Sequence, residues 1–258
     1  MPAPPLGRRA AGALGGRRSG ENDGVLVLFD IDGTLLLGAS REHAAALRDA
    51  LAGVYGVSVA QRVPAAGRTD TAIARDLAAL GGVGAERFDA GLEQFKDACV
   101  SMFAQRCPPS LEDRLAPGMR ELLEQLAARG GVRCSLVTGN YEPVARLKLA
   151  RAGIGHHFAP GQGGFGSDAE SRDELPAIAR ARAGGYPRAQ TILIGDTPLD
   201  IACARADSVG VLAVATGPHG ASELAEADAV VADGWELAAV LARALDARSP
   251  APQRTSRL

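Results

Sequence analysis

The chain has 258 residues, a formal net charge of -2, and 47% hydrophobic and 22% charged residues. This composition is typical of a soluble globular protein, and the near-neutral charge argues against a strongly basic nucleic-acid-binding protein. No apolar run reaches the roughly 18 residues that a membrane-spanning helix needs. The four cysteines form no Cys-x-x-Cys pair, which argues against a zinc site or a disulfide framework. We therefore expect a cytoplasmic protein with reduced, buried thiols and with no membrane or nucleic-acid partner.

Residues 1–23 are rich in proline, glycine, alanine and arginine and have no amphipathic period, which predicts a disordered tail. A flexible tail is also predicted for residues 248–258. We therefore expect the folded part of the chain at 24–247.

The first folded segment, Val25–Phe29, is a continuous apolar run of strand-forming residues, typical of a strand that is buried on both faces. Later apolar runs predict four more strands, at 132–137, 191–194, 209–214 and 229–231. Helical patterns lie between them, and the clearest is Met119–Ala128, where apolar residues recur with helical spacing. Further helices are predicted after Pro143 and after Pro198. Strands that alternate with helices predict an α/β fold, in which helices cover both faces of a parallel sheet.

One stretch, residues 38–109, interrupts this alternation, because it contains helical patterns and no convincing buried strand. Three amphipathic helices are predicted there, at 41–54, 71–80 and 85–106. We expect this all-helical insertion to form a second, smaller domain between the first and second strands. The larger domain then consists of residues 24–37 and 110–247.

Polar side chains follow three of the predicted strands at the point where each strand ends. The segments are DIDGT at 30–34, TGN at 138–140 and GDTPLD at 195–200. Because the carboxyl ends of parallel strands meet at one edge of a sheet, we expect these segments to converge. Carboxylates without histidine or cysteine favour Mg²⁺ over zinc, and backbone N–H groups at helix starts favour phosphate.

Each segment also has a simpler interpretation when it is taken alone. A calcium loop starting at Asp30 would need glycine at its sixth position and glutamate at its twelfth, where Leu35 and Arg41 stand, and this interpretation fails. A hairpin turn at DIDG lacks an alternating partner strand. Thr138 is compatible with a helix cap, and Asp200 is compatible with a capping box. The occurrence of all three segments at successive strand ends argues against coincidence.

In combination, these segments resemble the signature of the haloacid dehalogenase-like superfamily. That signature has DxDxT or DxDxV at the first strand, threonine or serine at the second, and an acidic GDxxxD at the fourth motif, and all are present here. The helical insertion resembles the small cap domain of the family. The pattern from Val25 to about Ala244 is closest to phosphoglycolate phosphatase-like members. The resemblance implies a Rossmann-like parallel sheet, Mg²⁺ as cofactor and a small phosphate ester as substrate, in a monomer or homodimer.

The resemblance also implies roles for individual residues. Asp30 would attack phosphorus and carry the phosphoryl group, while Asp32 would protonate the leaving alcohol and later activate water. Thr138 would hold phosphate oxygens. Mg²⁺ would be bound by Asp30, Asp32 (through its backbone carbonyl), Asp196 and Asp200. Substrate contacts would come from Gly33, Thr34, Gly139 and Asn140, and from Arg68 and Thr69 of the cap.

The family also needs a cation that balances the nucleophile and the phosphate, and here the chain departs from the common lysine pattern. No Lys-Pro dipeptide precedes the GDTPLD segment. Arg172 lies upstream of that segment and directly before a predicted helix, and we favour it for this role. Lys148 is the rival candidate, although Arg146 and Arg151 beside it favour the interpretation as a surface lysine.

The predicted cap contains a segment, GRTD at 67–70, that resembles the cap loop facing the active site in related enzymes. Arg68 would bind a carboxylate or a second phosphate of the substrate. The alternative, a solvated turn in which Thr69 or Asp70 caps the next helix, is equally open. A GxGxxG match at 161–166 does not follow a strand, so we interpret it as a glycine-rich loop near the site and not as a dinucleotide site.

The favoured function is Mg²⁺-dependent hydrolysis of a phosphate monoester, because Asp32 supplies the acid and base that this reaction needs. Dehalogenases of the same fold usually lack that residue. A phosphonate-cleaving enzyme would want a cap lysine, for which only Lys96 is available. A sugar-phosphate mutase would share every core residue, and a non-catalytic phosphate-binding module is a further alternative.

Overall fold

A computed structural model describes residues 24–248 of the chain. The tail predicted at 1–23 lies outside the described residues, as does the predicted C-terminal tail beyond residue 248. Among the described helices, none is both long and apolar enough to cross a membrane.

The central sheet has six parallel strands within the described residues. They are β1 (Val25–Phe29), β2 (Val132–Thr138), β3 (Gly164–Phe165), β4 (Thr191–Gly195), β5 (Gly210–Val214) and β6 (Ala229–Val231). Their order in the sheet is β3-β2-β1-β4-β5-β6. The strand order therefore changes direction at β1, because β2 and β3 lie on one side of it and β4 to β6 lie on the other. Such a reversal opens a crevice at the carboxyl ends of the strands, where ligands bind in open α/β sheets.

Eight α-helices are formed within the same residues. Three of them follow β1 and make up the helical insertion: α1 (Arg41–Tyr55), α2 (Asp70–Leu80) and α3 (Ala85–Arg106). The other five alternate with the later strands: α4 (Met119–Ala128), α5 (Glu142–Arg151), α6 (Leu175–Arg182), α7 (Pro198–Ala206) and α8 (Gly234–Arg248). The predicted fold class, a parallel α/β sheet with an inserted helical cap, is confirmed. The exact domain boundaries stay a prediction.

β1 lies at the centre of the sheet, and all five of its residues are buried. Val25, Val27 and Phe29 belong to one core cluster with α4 and α8, whereas Leu26 and Leu28 belong to a second cluster with α6 and α7. Side chains alternate along a strand, so a strand covered on both faces needs an unbroken apolar run. This central position fixes Asp30, the next residue, at the crevice.

β3 differs from the prediction, since its two residues lie in the segment interpreted as a glycine-rich loop. Gly164 pairs with Val137 and Phe165 pairs with Thr138, at the end of β2. Gly164 is packed so closely that an added Cβ would overlap the backbone of Leu175. The short strand therefore depends on tertiary packing, and it carries no apolar run of its own.

The helices of the insertion pack around an aromatic cluster. Tyr55 of α1 stacks on Phe88 with ring centroids 5.5 Å apart, and Phe95 lies 6.2 Å from both rings. The Tyr55 hydroxyl donates to the Phe88 carbonyl oxygen at 2.8 Å. From α2, the Arg75 guanidinium lies 4.7 Å over the Phe88 ring. These contacts join α1 and α2 to α3, which carries Phe88 and Phe95.

Candidate active site

The three segments that follow β1, β2 and β4 lie together at the carboxyl edge of the sheet. Phe29 pairs with Leu136 of β2 and with Ile194 of β4, so the residues after these positions share one edge. Asp30 comes directly after β1, and its N–H donates to the Ile194 carbonyl oxygen at 2.9 Å. Gly33 then takes a positive φ of 97°, which turns the chain away from the strand.

Three buried carboxylates form the centre of this edge. One oxygen from each of Asp30, Asp196 and Asp200 lies within 4.8 Å of the others. Burial raises the pKa of Asp30 well above its ordinary value, and repulsion from Asp200 and Asp196 adds to the shift. Burial and the charge of Asp200 raise the pKa of Asp196 to about 7. Acids this close need protons or cations to balance them.

The acidic cluster fits a divalent cation with hard oxygen ligands. Asp196 Oδ2 is buried and has no hydrogen-bond partner among the described residues, whereas Asp196 Oδ1 accepts from the Thr34 hydroxyl at 3.0 Å. Gly33 and Gly217 pack so closely on the Asp196 carboxylate that a Cβ at either position would overlap it. An unpaired carboxylate oxygen beside two further carboxylates is a donor set that suits Mg²⁺.

Arg172 balances part of this negative charge. It is 7% exposed, lies in a 3₁₀ turn before α6, and donates through Nη2 to Asp30 Oδ1 at 2.8 Å and also to Asp200. Burial lowers the pKa of Arg172, but the charges of Asp200 and Asp30 outweigh this effect and raise the pKa above its ordinary value. The favoured cation therefore lies against Asp30 and stays charged.

Lys148 is buried, and the interpretation as a surface lysine was wrong. Its side chain is 0% exposed, and its ammonium group donates to Asp32 Oδ1 at 2.8 Å and to Asp32 Oδ2 at 2.6 Å. The reason is helical spacing, because Lys148 lies four residues after the buried Val144 on the inward face of α5. Arg151 is the last residue of α5 and is exposed. Two cations thus reach the site, each on a different aspartate.

Asp32 is held mainly by this lysine and by the loop after β2. Asp32 Oδ2 accepts from Asn140 Nδ2 at 2.9 Å, and Asn140 Oδ1 accepts from Lys148 at 2.7 Å. Burial raises the pKa of Asp32, but the charges of Lys148 and His43 and these hydrogen bonds outweigh it, so that the pKa is lowered. The Asp32 side chain is 22% exposed and lines the cavity described below.

The loop after β2 contacts the cap. The buried Thr138 hydroxyl accepts from the Asn140 N–H at 3.3 Å. The N-cap of α5 is Tyr141, so Thr138 does not cap that helix. The Gly139 carbonyl oxygen accepts from the Asp70 N–H at 2.8 Å, and a Cβ at Gly139 would overlap the backbone of the cap loop. The small residue therefore lets the cap approach the sheet edge.

Asp200 both caps α7 and belongs to the acidic cluster. Asp200 Oδ2 accepts from the Thr197 N–H at 3.1 Å, and Thr197 Oγ1 accepts from the Asp200 N–H at 3.2 Å, which together form a capping box. Asp200 Oδ1 accepts from Arg172. The capping interpretation and the proximity to the other carboxylates thus hold at the same time.

The cap loop at 67–70 is fastened to the core. Thr69 is the N-cap of α2, where its Oγ1 accepts from the Ala72 N–H at 3.3 Å, and its hydroxyl donates to the Glu170 carbonyl oxygen at 2.7 Å. Asp70 Oδ2 accepts from the Tyr141 N–H at 2.8 Å. The capping interpretation of Thr69 is therefore met, and this cap residue also bonds the core directly.

Arg68 lines the cavity beneath the cap, but its guanidinium is already engaged. It pairs with Asp76 at 2.8 Å and donates to the carbonyl oxygens of Pro64 at 3.0 Å and Ala72 at 3.2 Å. All three partners belong to the helical insertion. Few of its donors remain for a ligand.

His43 is a site residue that no sequence motif indicated. Its Nε2 lies 3.1 Å from Asp70 Oδ2, and its Nδ1 lies 3.3 Å from Lys148 Nζ, so it joins the cap to the lysine on Asp32. The sequence feature that could have indicated it is its position on the buried face of α1, with Ala46 and Leu47 three and four residues later. A polar group on such a face needs a partner.

A cavity of about 470 Å³ lies between the sheet edge and the cap. Asp30, Asp32, Asp196 and Arg172 line its core side, and residues of α1 and α2 line its cap side. Residues 216–218, after β5, also contribute to its wall. Its volume is within the range that accommodates a small organic ligand.

The fold and this carboxylate-lined edge define an α/β protein with a candidate active site, and comparison with known families assigns its class. The family model described as haloacid dehalogenase-like hydrolase matches residues 27–205, and a second, described as HAD-hydrolase-like, matches residues 174–237. The chain belongs to the haloacid dehalogenase-like hydrolase family. The family and the enzyme class predicted from the sequence are thereby confirmed.

Two similar curated proteins are named phosphoglycolate phosphatase. The protein from Pseudomonas savastanoi pv. phaseolicola is 30% identical over 81% of this chain and 76% of its own length. The protein from Rhodospirillum rubrum is 33% identical over 101 residues, which are 39% of this chain and 42% of that protein. Among solved structures, a β-phosphoglucomutase from Clostridium difficile has a TM-score of 0.62 at 15% identity, over 86% of this chain and 97% of its own. That last likeness shows the fold alone.

Proposed function

We propose that this protein is a Mg²⁺-dependent phosphatase that hydrolyses a small phosphate monoester through an aspartyl phosphate on Asp30. The observation that carries the proposal is the pairing of the two aspartates, since Asp30 has Arg172 at 2.8 Å and Asp32 has Lys148 at 2.6 Å. Family membership and the two related phosphoglycolate phosphatases support the same class of reaction. Phosphoglycolate-like esters are therefore the first substrates to test.

Asp30 is the nucleophile in this proposal. Its carboxylate attacks phosphorus, the bond between phosphorus and the ester oxygen breaks, and the departing oxygen takes a proton from Asp32. A water molecule then gives a proton to Asp32 and attacks the phosphorus of the aspartyl phosphate. This second displacement releases inorganic phosphate and restores the Asp30 carboxylate. One difficult attack by water is thus replaced by two easier steps.

The surrounding residues support these steps. Arg172 holds the Asp30 carboxylate and attracts the phosphate, and Thr138 with the Gly139 N–H binds phosphate oxygens. Asn140 orients the Asp32 carboxylate through its Nδ2. Two of the predicted substrate contacts have protein partners instead. The Gly33 N–H donates to a carbonyl of the turn, and the Thr34 hydroxyl donates to a carboxylate of the acidic cluster.

Asp30, Asp196 and Asp200 would hold Mg²⁺, together with the backbone carbonyl of Asp32. When bound, Mg²⁺ would screen the repulsion between the nucleophile and the phosphate oxygens. The unpaired Oδ2 of Asp196 is the observation that supports this assignment. Thr34 holds the other oxygen of the same carboxylate and so fixes its orientation.

Release of inorganic phosphate from a panel of small esters, measured with Mg²⁺ and with chelator, tests the proposal. The wild type is expected to turn over at least one ester only with Mg²⁺, and Asp30→Asn should lose at least about 10⁴-fold in rate. Asp97→Asn, an exposed carboxylate on α3, is the matched control and should keep the wild-type rate. Activity near wild type in Asp30→Asn would refute the assignment of the nucleophile.

A sugar-phosphate mutase of the same fold is the alternative, because it would use the same core residues. If no ester in the panel releases phosphate, interconversion of sugar phosphates becomes the assay. Absence of both activities would favour a non-catalytic phosphate-binding module. The cytoplasmic location and the monomeric or homodimeric state stay predictions.

A further inference from the structure

The half of the cavity under the cap differs in character from the catalytic half. Its wall carries apolar side chains from several segments: Leu37 after the first turn, Leu47 of α1, Val63 of the connecting loop, and Ile73 and Leu77 of α2. Helical residues three or four positions apart share a face, so α2 presents an apolar stripe to the cavity. An organic group bound there would lie against hydrocarbon.

Four charged or titratable side chains of the cap also line the cavity, and three of them have partners. His43 and Asp70 lie 3.1 Å apart, and Arg68 is paired with an aspartate of the cap. Arg48, next to Leu47 on α1, is half-buried and has neither an ion pair nor a hydrogen bond with any described residue. An unpaired guanidinium in a partly apolar cavity attracts an anion, because nothing else compensates its lost hydration.

Arg48 lies at a different level of α1 from His43, the residue that contacts the network around Asp32. His43 marks the catalytic end of α1, since it lies 3.3 Å from the lysine that holds Asp32. Arg48 lies five residues further, about 7.5 Å along the helix axis. Leu47, beside Arg48, and the other apolar side chains line the same cavity. A two-carbon acid would leave much of the 470 Å³ cavity unfilled.

We propose that the substrate is a phosphate monoester whose organic portion is an apolar chain of about four or more carbons ending in a second anion, and that Arg48 binds this anion. This inference rests on the proposed phosphatase function, since it places the phosphate at Asp30. Each methylene against the apolar wall lowers KM about threefold to fourfold. The guanidinium adds a charge-assisted hydrogen bond to a carboxylate or to a second phosphate. Arg48 thereby takes the role that the sequence suggested for Arg68.

Esters of matched chain length test the inference through kcat/KM. The panel contains n-hexyl phosphate, 6-phosphooxyhexanoate, hexane-1,6-bisphosphate and phosphoglycolate, with p-nitrophenyl phosphate as a reference for general phosphatase activity. The wild type should prefer one of the two long esters with an anionic end over both hexyl phosphate and phosphoglycolate, by at least about tenfold. The better of those two long esters identifies the end group as carboxylate or phosphate.

Variants of α1 assign the preference to a side chain. Arg48→Met should lower the preference for the anionic end over hexyl phosphate by about 10-fold to 100-fold, and Arg48→Lys should keep part of it. Arg41→Met, at the exposed start of α1 and away from the cavity wall, should keep the wild-type ratio. Because the readout is a ratio within one variant, a partial loss of folded protein does not change it.

Three results would overturn the inference: phosphoglycolate as the best ester, an unchanged ratio in Arg48→Met, or loss of the ratio in Arg68→Met instead. If p-nitrophenyl phosphate is still hydrolysed in these cases, the phosphatase function stands and only the substrate class is wrong. If no ester is hydrolysed, including the reference, the proposed function fails together with the inference.

Discussion

Replacing Lys148 with methionine is expected to destabilise the folded protein by about 2–3 kcal/mol. The substitution keeps the length of the side chain and removes the ammonium group that lies 2.6 Å from Asp32 Oδ2. Breaking a buried ion pair by removing one partner typically costs about 3–5 kcal/mol, because the other charge stays behind unpaired. The Asp32 side chain is 22% exposed, and water that reaches it reduces the cost below that range.

Urea unfolding at constant Mg²⁺ measures this effect as a double-mutant cycle of wild type, Lys148→Met, Asp32→Asn and the double variant. The double variant should be more stable than the sum of the single changes by about 1.5–2.5 kcal/mol, because a neutral asparagine needs no cation. Thermal unfolding should agree, with Tm shifts of about 2–4 °C per kcal/mol. Arg151→Met, at the exposed C-terminal end of the same helix, is the control and should change stability by less than about 0.5 kcal/mol.

The cost of Lys148→Met should also depend on pH with a definite sign. Burial raises the pKa of Asp32, but Lys148, His43 and Asn140 together outweigh it, so the pKa is lowered in the folded protein. The stabilisation that Asp32 gains from the pair is therefore complete above the unfolded pKa, near 4, and is lost as the pH falls through the lower folded value. A cost that is no larger than that of Arg151→Met, or one that does not shrink in acid, would refute the buried pair.

At the acidic cluster, Arg172→Ala should lower kcat for phosphate release by about 10²–10³-fold, and a wild-type kcat would contradict its place on the nucleophile. Calorimetry should show Mg²⁺ binding that tightens as the pH rises to about 7 and then levels off, because burial and a neighbouring carboxylate raise the pKa of Asp196 to about 7. A constant affinity across that range would count against Asp196 as a ligand. Gly139→Ala should raise KM and lower Tm, since its Cβ would overlap the Arg68 carbonyl, whereas Gly130→Ala meets open space and should change neither.

The helices and most strands could be predicted because their signals are local. The bounds predicted for 85–106 and 119–128 are those of α3 and α4, and the apolar run at 25–29 is β1. The periodicity of apolar residues, with glycine or proline at the ends, defines such segments without tertiary information. β3 has only two residues, and it exists because the chain pairs with the end of β2. Nothing in its own sequence could mark it.

The acidic cluster was predictable on similar grounds, whereas the network around Asp32 was not. Asp30 and Asp196 follow strands, and the carboxyl ends of parallel strands meet. Lys148 is 116 positions from Asp32 and 105 positions from His43, so its contacts depend on how distant elements pack. The charged neighbours of Lys148 indicated solvent, and only the packing of α5 against the core decides which of its faces is buried.

Asp30 is buried and Asp32 is partly exposed, and their pKa values shift in opposite directions. Burial and two neighbouring acids raise the pKa of Asp30 although Arg172 opposes them. At Asp32, Lys148 together with His43 and Asn140 outweighs burial and lowers the pKa. When the environments of two carboxyl groups move their pKa values apart in this way, the two groups can take different catalytic roles. Asp32 is ionised before substrate arrives, which is the form that activates water in the second displacement. To protonate the leaving oxygen in the first, it must gain a proton as the phosphate brings negative charge beside it, since a nearby anion raises a carboxyl pKa. On this reasoning the substrate itself creates the acid, and the resting charge state is already that of the base.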